Sequence, residues 1–336
     1  MILTGDALEQ LRKLPDESVQ VCVTSPPYYR LRMYGGGGLE IGLENTPDEY
    51  ITSLVNVFRE VRRVLRNDGT LWLNIGDSYV AGTTGNSVAT KSSTLQGGKA
   101  TQIEAAKRLS KLNLNGLKPK DMIGIPWMLA FALRADGWYL RQDIIWAKRN
   151  CMPESVKDRC TKSHEYIFLL SKSAKYYYDS DAIKEKALYT AAQGHSQSHR
   201  YGGNKYTATP DQFYRTKSGS AYAYTGFKNK RDVWHIATTP FKGAHFATFP
   251  EKLVEPCIIA GSKRGDVVLD PFSGAGTTGV VAKKQGREYI GIELNPEYVK
   301  LSEDRIAKIG ETARKKKAKK SKVDPQQMTI TGWDMT

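Results

Sequence analysis

Val267-Val268-Leu269-Asp270-Pro271-Phe272-Ser273-Gly274-Ala275-Gly276-Thr277-Thr278-Gly279 is the stretch whose reading decides the fold. Its apolar start, closed by an aspartate, predicts a buried strand over 266–270, and a glycine-rich turn and a helix over 277–285 follow. The pattern continues on both sides, with helices expected at 250–260 and 296–309 and a strand at 288–293. Strands alternating with helices at such short intervals imply parallel strands joined by crossover helices. The expected fold is therefore α/β, a doubly wound and mostly parallel sheet.

The same turn has the chemistry of a cofactor loop. Gly274 and Gly276 carry no side chains where a ligand must approach the backbone, and the first amides of the following helix are open donors. A tight structural turn explains two glycines equally well. The next strand adds weight, because Ile290-Gly291-Ile292 ends in Glu293, about 20 positions further on, where a doubly wound sheet places a carboxylate for ribose hydroxyls. This spacing serves NAD and S-adenosylmethionine alike. However, the turn is not the three-glycine dinucleotide fingerprint and holds no basic residue for a pyrophosphate. A cofactor with a ribose and no phosphates fits it better.

Near the start of the chain, Val19-Gln20-Val21-Cys22-Val23 predicts a buried strand that runs into Thr24-Ser25-Pro26-Pro27-Tyr28. Proline cannot continue a strand interior, so the strand ends there. Beyond Gly35-Gly36-Gly37-Gly38, Thr46 is placed to cap a helix, with Pro47 at its first position and Glu49 closing a capping box. Ile51, Leu54, Val57, Phe58, Val61, Val64 and Leu65 recur at helical spacing. Arg62, Arg63 and Arg66 suit the helix's negative end, and Asn67-Asp68-Gly69 reads as a turn before a strand at 70–75. Residues 78–120, rich in Gly, Ser, Thr, Asn and Lys, predict a long loop with one helix at 103–112. A helix at 122–133, ended by Asp136-Gly137, and strands at 138–147 and 165–171 complete this half.

The Ser-Pro-Pro-Tyr loop suits a planar amino group. The exocyclic amine of cytosine or adenine is a poor nucleophile, because its lone pair is delocalised into the ring. Ser25 offers a hydroxyl oxygen to such an NH₂, and Pro26 a carbonyl on a backbone stiffened by two fixed φ angles. Tyr28 offers a ring face. A base inside a duplex must be flipped out to reach such a pocket. The plain alternative is a stiff loop that only ends a strand.

The net charge of +15 on 336 residues points to a polyanionic partner. Fewer than half of those charges belong to the run Arg314, Lys315, Lys316, Lys317, Lys319, Lys320 and Lys322, so the body of the chain is basic as well. Between 188 and 233 aliphatic residues almost vanish. Tyrosines there alternate with Arg200, Lys205, Arg215, Lys217, Lys228, Lys230 and Arg231, a composition that becomes ordered on a partner rather than around its own core. Four organisational units follow: a catalytic half at 1–187, the Tyr-rich region at 188–233, a cofactor half at 234–310 and a basic tail at 311–336. The apolar stretch at 122–133 is too short to span a bilayer, and no signal-like segment opens the chain, so a cytoplasmic location is expected. Cys22, Cys151, Cys160 and Cys257 form no CxxC pair, which favours reduced structural thiols over a metal site.

Taken together, these motifs resemble those of the DNA amino-methyltransferases. Thr24 to Tyr28 is similar to that family's catalytic motif and Asp270 to Gly279 to its cofactor loop. His245-Phe246-Ala247-Thr248-Phe249-Pro250 is similar to the motif that precedes the cofactor loop, and Gly5-Asp6 to the element beside the cofactor's adenine. With the catalytic motif first and the cofactor loop last, the order resembles that of the β group. The resemblance implies a Rossmann-like fold with an inserted target-recognition region at 188–233, double-stranded DNA as substrate and S-adenosyl-L-methionine as cofactor. It also implies roles. Ser25, Pro26, Pro27 and Tyr28 would form the catalytic loop. Phe249, Pro250, Asp270, Phe272, Gly274, Gly276 and Thr277 would line the cofactor, with Glu293 on the ribose and Asp6 on the adenine amine.

Transfer would be direct, since no nucleophilic cysteine sits in the motif. In this family Ser at the first motif position is more typical of N4-cytosine enzymes and Asp of N6-adenine enzymes, which favours cytosine. Methylation of RNA or of a protein glutamine is a competing expectation, and a catalytically dead DNA-binding protein is another. A cognate restriction endonuclease is a candidate partner; the sequence names no oligomeric state.

Overall fold

The structure, a computed structural model, describes residues 1–30, 40–80, 116–186, 227–238 and 249–309, and the backbone alone of 214–215, 221–222 and 310–320. The first half of the chain forms Ile2–Thr4 (β1), Ala7–Arg12 (α1), Val19–Thr24 (β2), Pro47–Val64 (α2), Leu65–Ile75 (β3), Ile125–Ala135 (α3), Tyr139–Ala147 (β4) and His164–Ser171 (β5). Short strands follow at Glu185–Lys186 (β6), Tyr214–Arg215 (β7), Ala221–Tyr222 (β8), Phe227–Lys228 (β9) and Val233–His235 (β10). The last part holds Glu251–Gly261 (α4), Val267–Asp270 (β11), Thr277–Lys284 (α5), Glu288–Glu293 (β12) and Pro296–Lys320 (α6).

Eight strands make one sheet in the order β1-β12-β11-β2-β3-β5-β4-β10. Seven share one direction, and β5 alone runs against its neighbours β3 and β4. The side-chain period of two then builds two cores. Cys22, Leu71 and Leu73 face a core shared with Leu11, Leu54, Phe58 and Leu129 from α1, α2 and α3. Val21, Val23 and Trp72 face the opposite core, against Leu253, Ile258 and Val281 from α4 and α5. The sheet is thus doubly wound and mostly parallel.

From the central pair β2 and β11, the chain leaves β2 toward β3 on one side and β11 toward β12 on the other. Such a reversal opens a crevice at the strands' carboxyl ends, and ligands of doubly wound sheets bind there. Both motif loops emerge at this edge.

α2 begins as its residues dictate. Thr46 Oγ1 accepts from Glu49 N at 3.2 Å, and Glu49 Oε2 accepts from Thr46 N at 3.2 Å. Three other expectations need correction. Asn67-Asp68-Gly69 does not separate α2 from the next strand. It bulges out within β3, whose pairing with β2 passes from Val19↔Leu65 to Val21↔Thr70. α3 starts three residues later than expected, because Met122 is spent on a bridge to Tyr79 and Gly124 adopts a left-handed φ of 86°. Asp77 holds that start, accepting from Gly124 N at 3.0 Å and Ile125 N at 3.1 Å. The last helix continues to Lys320, past the end expected at 309.

The expected unit boundary at 233/234 falls inside β10, which pairs with β4, and the boundary at 310/311 falls inside α6. The expected helix at 103–112 and the motif residues 245–248 lie outside the described residues.

Candidate active site

The two motif loops are tied together beneath the crevice. Thr24 Oγ1, at the last position of β2, donates to Asp270 Oδ1 at 2.7 Å. Thr278 Oγ1, in the first turn of α5, donates to Asp270 Oδ2 at 2.7 Å, and Phe272 N to Oδ1 at 3.1 Å. Asp270 is 1% exposed, and burial pushes its carboxyl up to about 6 although these three donors oppose the rise. Its carboxylate therefore lies below the loops, joining β11, the glycine turn and the Ser-Pro-Pro-Tyr loop.

The Ser-Pro-Pro-Tyr loop is held from two further sides. The Tyr50 hydroxyl, from the fully buried face of α2, donates to Pro27 O at 2.8 Å. Tyr28 donates its hydroxyl to Glu165 Oε2 at 2.7 Å. Glu165 reaches this edge because β5 runs antiparallel, which brings its first residues level with the last residues of β3 and β4. Asn74 Nδ2 donates to Tyr166 O at 3.0 Å and lies 3.3 Å from Glu165 Oε2, and Lys148 Nζ pairs with Glu165 Oε1. Ser25 is half-buried and Pro26 buried, one and two residues beyond the strand end.

On the cofactor side, the parallel pairing of β1 with β12 sets Thr4 opposite Glu293. Gly5 N donates to Glu293 O at 2.9 Å, so Asp6 follows immediately beside the end of β12. Asp6 caps α1, accepting from Glu9 N at 3.0 Å. The Glu293 side chain accepts from Gly274 N at 2.8 Å through Oε2 and from Asn295 N at 2.9 Å through Oε1. Burial raises its pKa, and only backbone amides counter that rise.

Gly274 and Gly276 have φ of 50° and 73°. A Cβ at Gly276 would lie 2.6 Å from Ser302 Cβ, so this glycine admits α6 against the loop. Arg305 of the same helix donates to Ala275 O. Thr277 is buried at the start of α5, and Phe272 is half-buried in the loop. Phe249 lines an apolar cleft with Thr24, Asn74, Leu253 and Cys257, and Pro250 follows it at the cap of α4.

Of the cations expected to meet DNA, Lys228 and Arg231 both pair with Glu185, at 3.3 and 2.6 Å. Lys230 lies over the Trp234 ring, 4.9 Å from its centroid. Arg215 sits in β7, where only the backbone is described, and Arg200, Lys205 and Lys217 lie outside the described residues. Among the described residues no three His, Cys, Asp or Glu side chains converge as metal ligands. No described helix is long and apolar enough to cross a membrane.

The family profile described as DNA methylase, of the N6/N4 type, matches residues 19–304. The chain belongs to this DNA methylase family. It is a β-group amino-methyltransferase, with its catalytic motif before its cofactor loop. Within the family, the chain is 48% identical over 305 residues to the Type II methyltransferase M.Cfr9I of Citrobacter freundii, covering 91% of this chain and 87% of that protein. Two solved structures share the methylase fold. The PvuII DNA methyltransferase (cytosine-N4-specific) superposes with a TM-score of 0.56 at 20% identity, over 94% of this chain and 91% of that one. The protein TTHA0409 of Thermus thermophilus, solved with S-adenosyl-L-methionine, superposes with a TM-score of 0.54 at 24% identity, over 92% and 93%.

Asn74, Lys148 and Glu165 escaped the sequence reading. The one signal was a glutamate heading an otherwise apolar strand, and only the antiparallel course of β5 gives it meaning.

Proposed function

We propose that this methylase is a site-specific DNA methyltransferase acting on the exocyclic amino nitrogen of a flipped-out base, N4 of cytosine in preference to N6 of adenine. One observation carries the proposal. The buried Thr24–Asp270 bond joins the Ser-Pro-Pro-Tyr loop to the glycine loop at the switch point of the sheet.

The cofactor is S-adenosyl-L-methionine, and the crevice fits it. Glu293 has spare lone pairs on both oxygens and only amides as partners among the described residues, which suits a ribose diol and repels a phosphate. Glu293 would take the ribose hydroxyls and Asp6 the adenine amine. Phe249, Pro250, Phe272, Gly274, Gly276 and Thr277 would surround the remainder, over the Asp270 anchor. When bound, this cofactor supplies an electrophilic methyl group on a positive sulfonium.

The chain's own residues then do three things. Ser25 Oγ and Pro26 O accept from the target NH₂, drawing its lone pair out of conjugation and toward the cofactor side. Tyr28 stacks on the base and fixes its plane. The Thr24–Asp270 and Tyr50–Pro27 bonds keep those acceptors from drifting, and orientation of this kind is a large share of the barrier in such transfers. Cys22 is fully buried and burial pushes its thiol well up, so it offers no nucleophile, in keeping with direct transfer.

Ser25 carries the choice of cytosine. The Type II relatives support a restriction-modification role with a cognate endonuclease, in the cytoplasm where the DNA is held. Residues 188–233, with Lys228, Lys230 and Arg231, would read the target and hold phosphates. Incubating the purified protein with duplex DNA and methyl-labelled cofactor tests this reading. Label should enter duplex DNA, and Tyr28→Ala and Gly274→Asp should each abolish transfer. Label in ribosomes or release factors but not in DNA would overturn it.

A further inference from the structure

Tyr28 supplies the ring on which the proposed transfer depends, and the fold takes unusual care over that ring's far end. A phenyl ring on two rotatable bonds swings freely at a loop tip unless something fixes its outer edge. Here the hydroxyl meets a carboxylate, an ionic acceptor that makes a stronger bond than a neutral one. Four chain segments converge to build the contact: the loop after β2, the end of β3, the residue after β4 and the start of β5. Glu165 is itself held, by Lys148 on Oε1 and Asn74 beside Oε2, and its side chain is only 15% exposed. Lys148 lies 4.8 Å from the Trp146 ring centroid, which steadies it in turn.

Gly76 gives an independent sign. A Cβ at this position would lie 2.8 Å from Tyr28 Cε2 and 3.3 Å from Glu165 Cδ. The backbone of β3's continuation is bare where ring and carboxylate meet.

We propose that Glu165 is a positioning residue, which fixes the plane of the Tyr28 ring through its hydroxyl and so sets the face presented to the target base. The inference rests on the proposed methylation of DNA. Glu165 touches neither base nor cofactor in this role; it acts through Tyr28, Lys148 acts through Glu165, and Asn74 meets both, its Nδ2 3.3 Å from Glu165 Oε2 and its Oδ1 3.4 Å from the Tyr28 hydroxyl.

A double-mutant cycle in single-turnover methylation of duplex DNA tests it, with thermal unfolding measured on every variant. Glu165→Ala and Tyr28→Phe should each slow the methyl-transfer rate by about tenfold, and the double variant should be no more than about twofold slower than Tyr28→Phe. Glu165→Gln, which keeps an acceptor for the hydroxyl, should recover most of the loss. If Glu165→Ala does not fold, the same cycle with Glu165→Gln decides, and its smaller effect should vanish in the Tyr28→Phe background. Equal slowing by the Glu165 substitution in both backgrounds overturns the positioning role alone. A wild-type protein that labels no duplex DNA overturns the role and the proposed function together.

Discussion

Thr24 Oγ1 donates to Asp270 Oδ1 at 2.7 Å, a buried hydrogen bond between residues 246 positions apart in the chain. It ties the end of β2, where the Ser-Pro-Pro-Tyr loop begins, to the end of β11, where the glycine loop begins, beside the backbone pairing of the two strands. Replacing Thr24 by Val keeps the volume and deletes the donor, leaving a buried carboxylate short of one partner. The expected cost is about 1–3 kcal/mol, with Thr24→Ser milder, measured by urea unfolding. Unchanged stability in Thr24→Val would mean that the bond is idle.

Asp270 also gives the protein a pH signature. Its folded pKa of about 6 lies above the ordinary 3.8. A raised folded value means that the neutral acid is favoured in the fold, so this contribution is complete below pH 4 and is lost as pH rises through 6. Between about pH 3 and about pH 7 wild type should lose roughly 3 kcal/mol relative to Asp270→Asn, which has no proton to release. The difference between the two unfolding curves isolates this group from every other titration. Curves that stay parallel across the range would contradict it.

Gly276 is expected to resist substitution for a reason unrelated to any ligand. Its φ of 73° and the 2.6 Å approach to Ser302 Cβ both penalise a methyl group. Gly276→Ala should destabilise by about 1–3 kcal/mol in thermal or urea unfolding. Adding Ser302→Gly should restore the part due to contact and leave the part due to φ. No recovery in the double variant would remove Ser302 from the account.

Glu185 draws on both Lys228 and Arg231. Glu185→Gln should free both side chains for phosphates, tightening duplex binding and steepening its dependence on log salt by up to about two charges. Fluorescence anisotropy across a salt series reads both quantities. An unchanged slope would show that these cations stay away from DNA.

The β11 loop, the end of β2 and the capping box at Thr46 were legible because each depends on local chemistry: an apolar run, a proline, or a side chain three residues from its backbone partner. Local turn chemistry misled at Asn67-Asp68-Gly69, where pairing with β2 kept the chain in the sheet and turned a predicted boundary into a bulge. Gly276 has a second role that local sequence does not show, since it also admits Ser302 of α6 against the loop. Glu165 was invisible as a site residue, because its meaning depends on a strand direction that no local pattern encodes.

The central claim is that this chain methylates an amino nitrogen in duplex DNA, and that Ser25 belongs to a cytosine site. Nucleoside mass spectrometry on DNA from cells expressing the protein, against cells carrying Tyr28→Ala, tests it most directly. The account predicts N4-methylcytosine in the first sample and none in the second. N6-methyladenine without N4-methylcytosine would contradict the choice of base, and unmodified DNA from cells making folded protein would contradict the function itself.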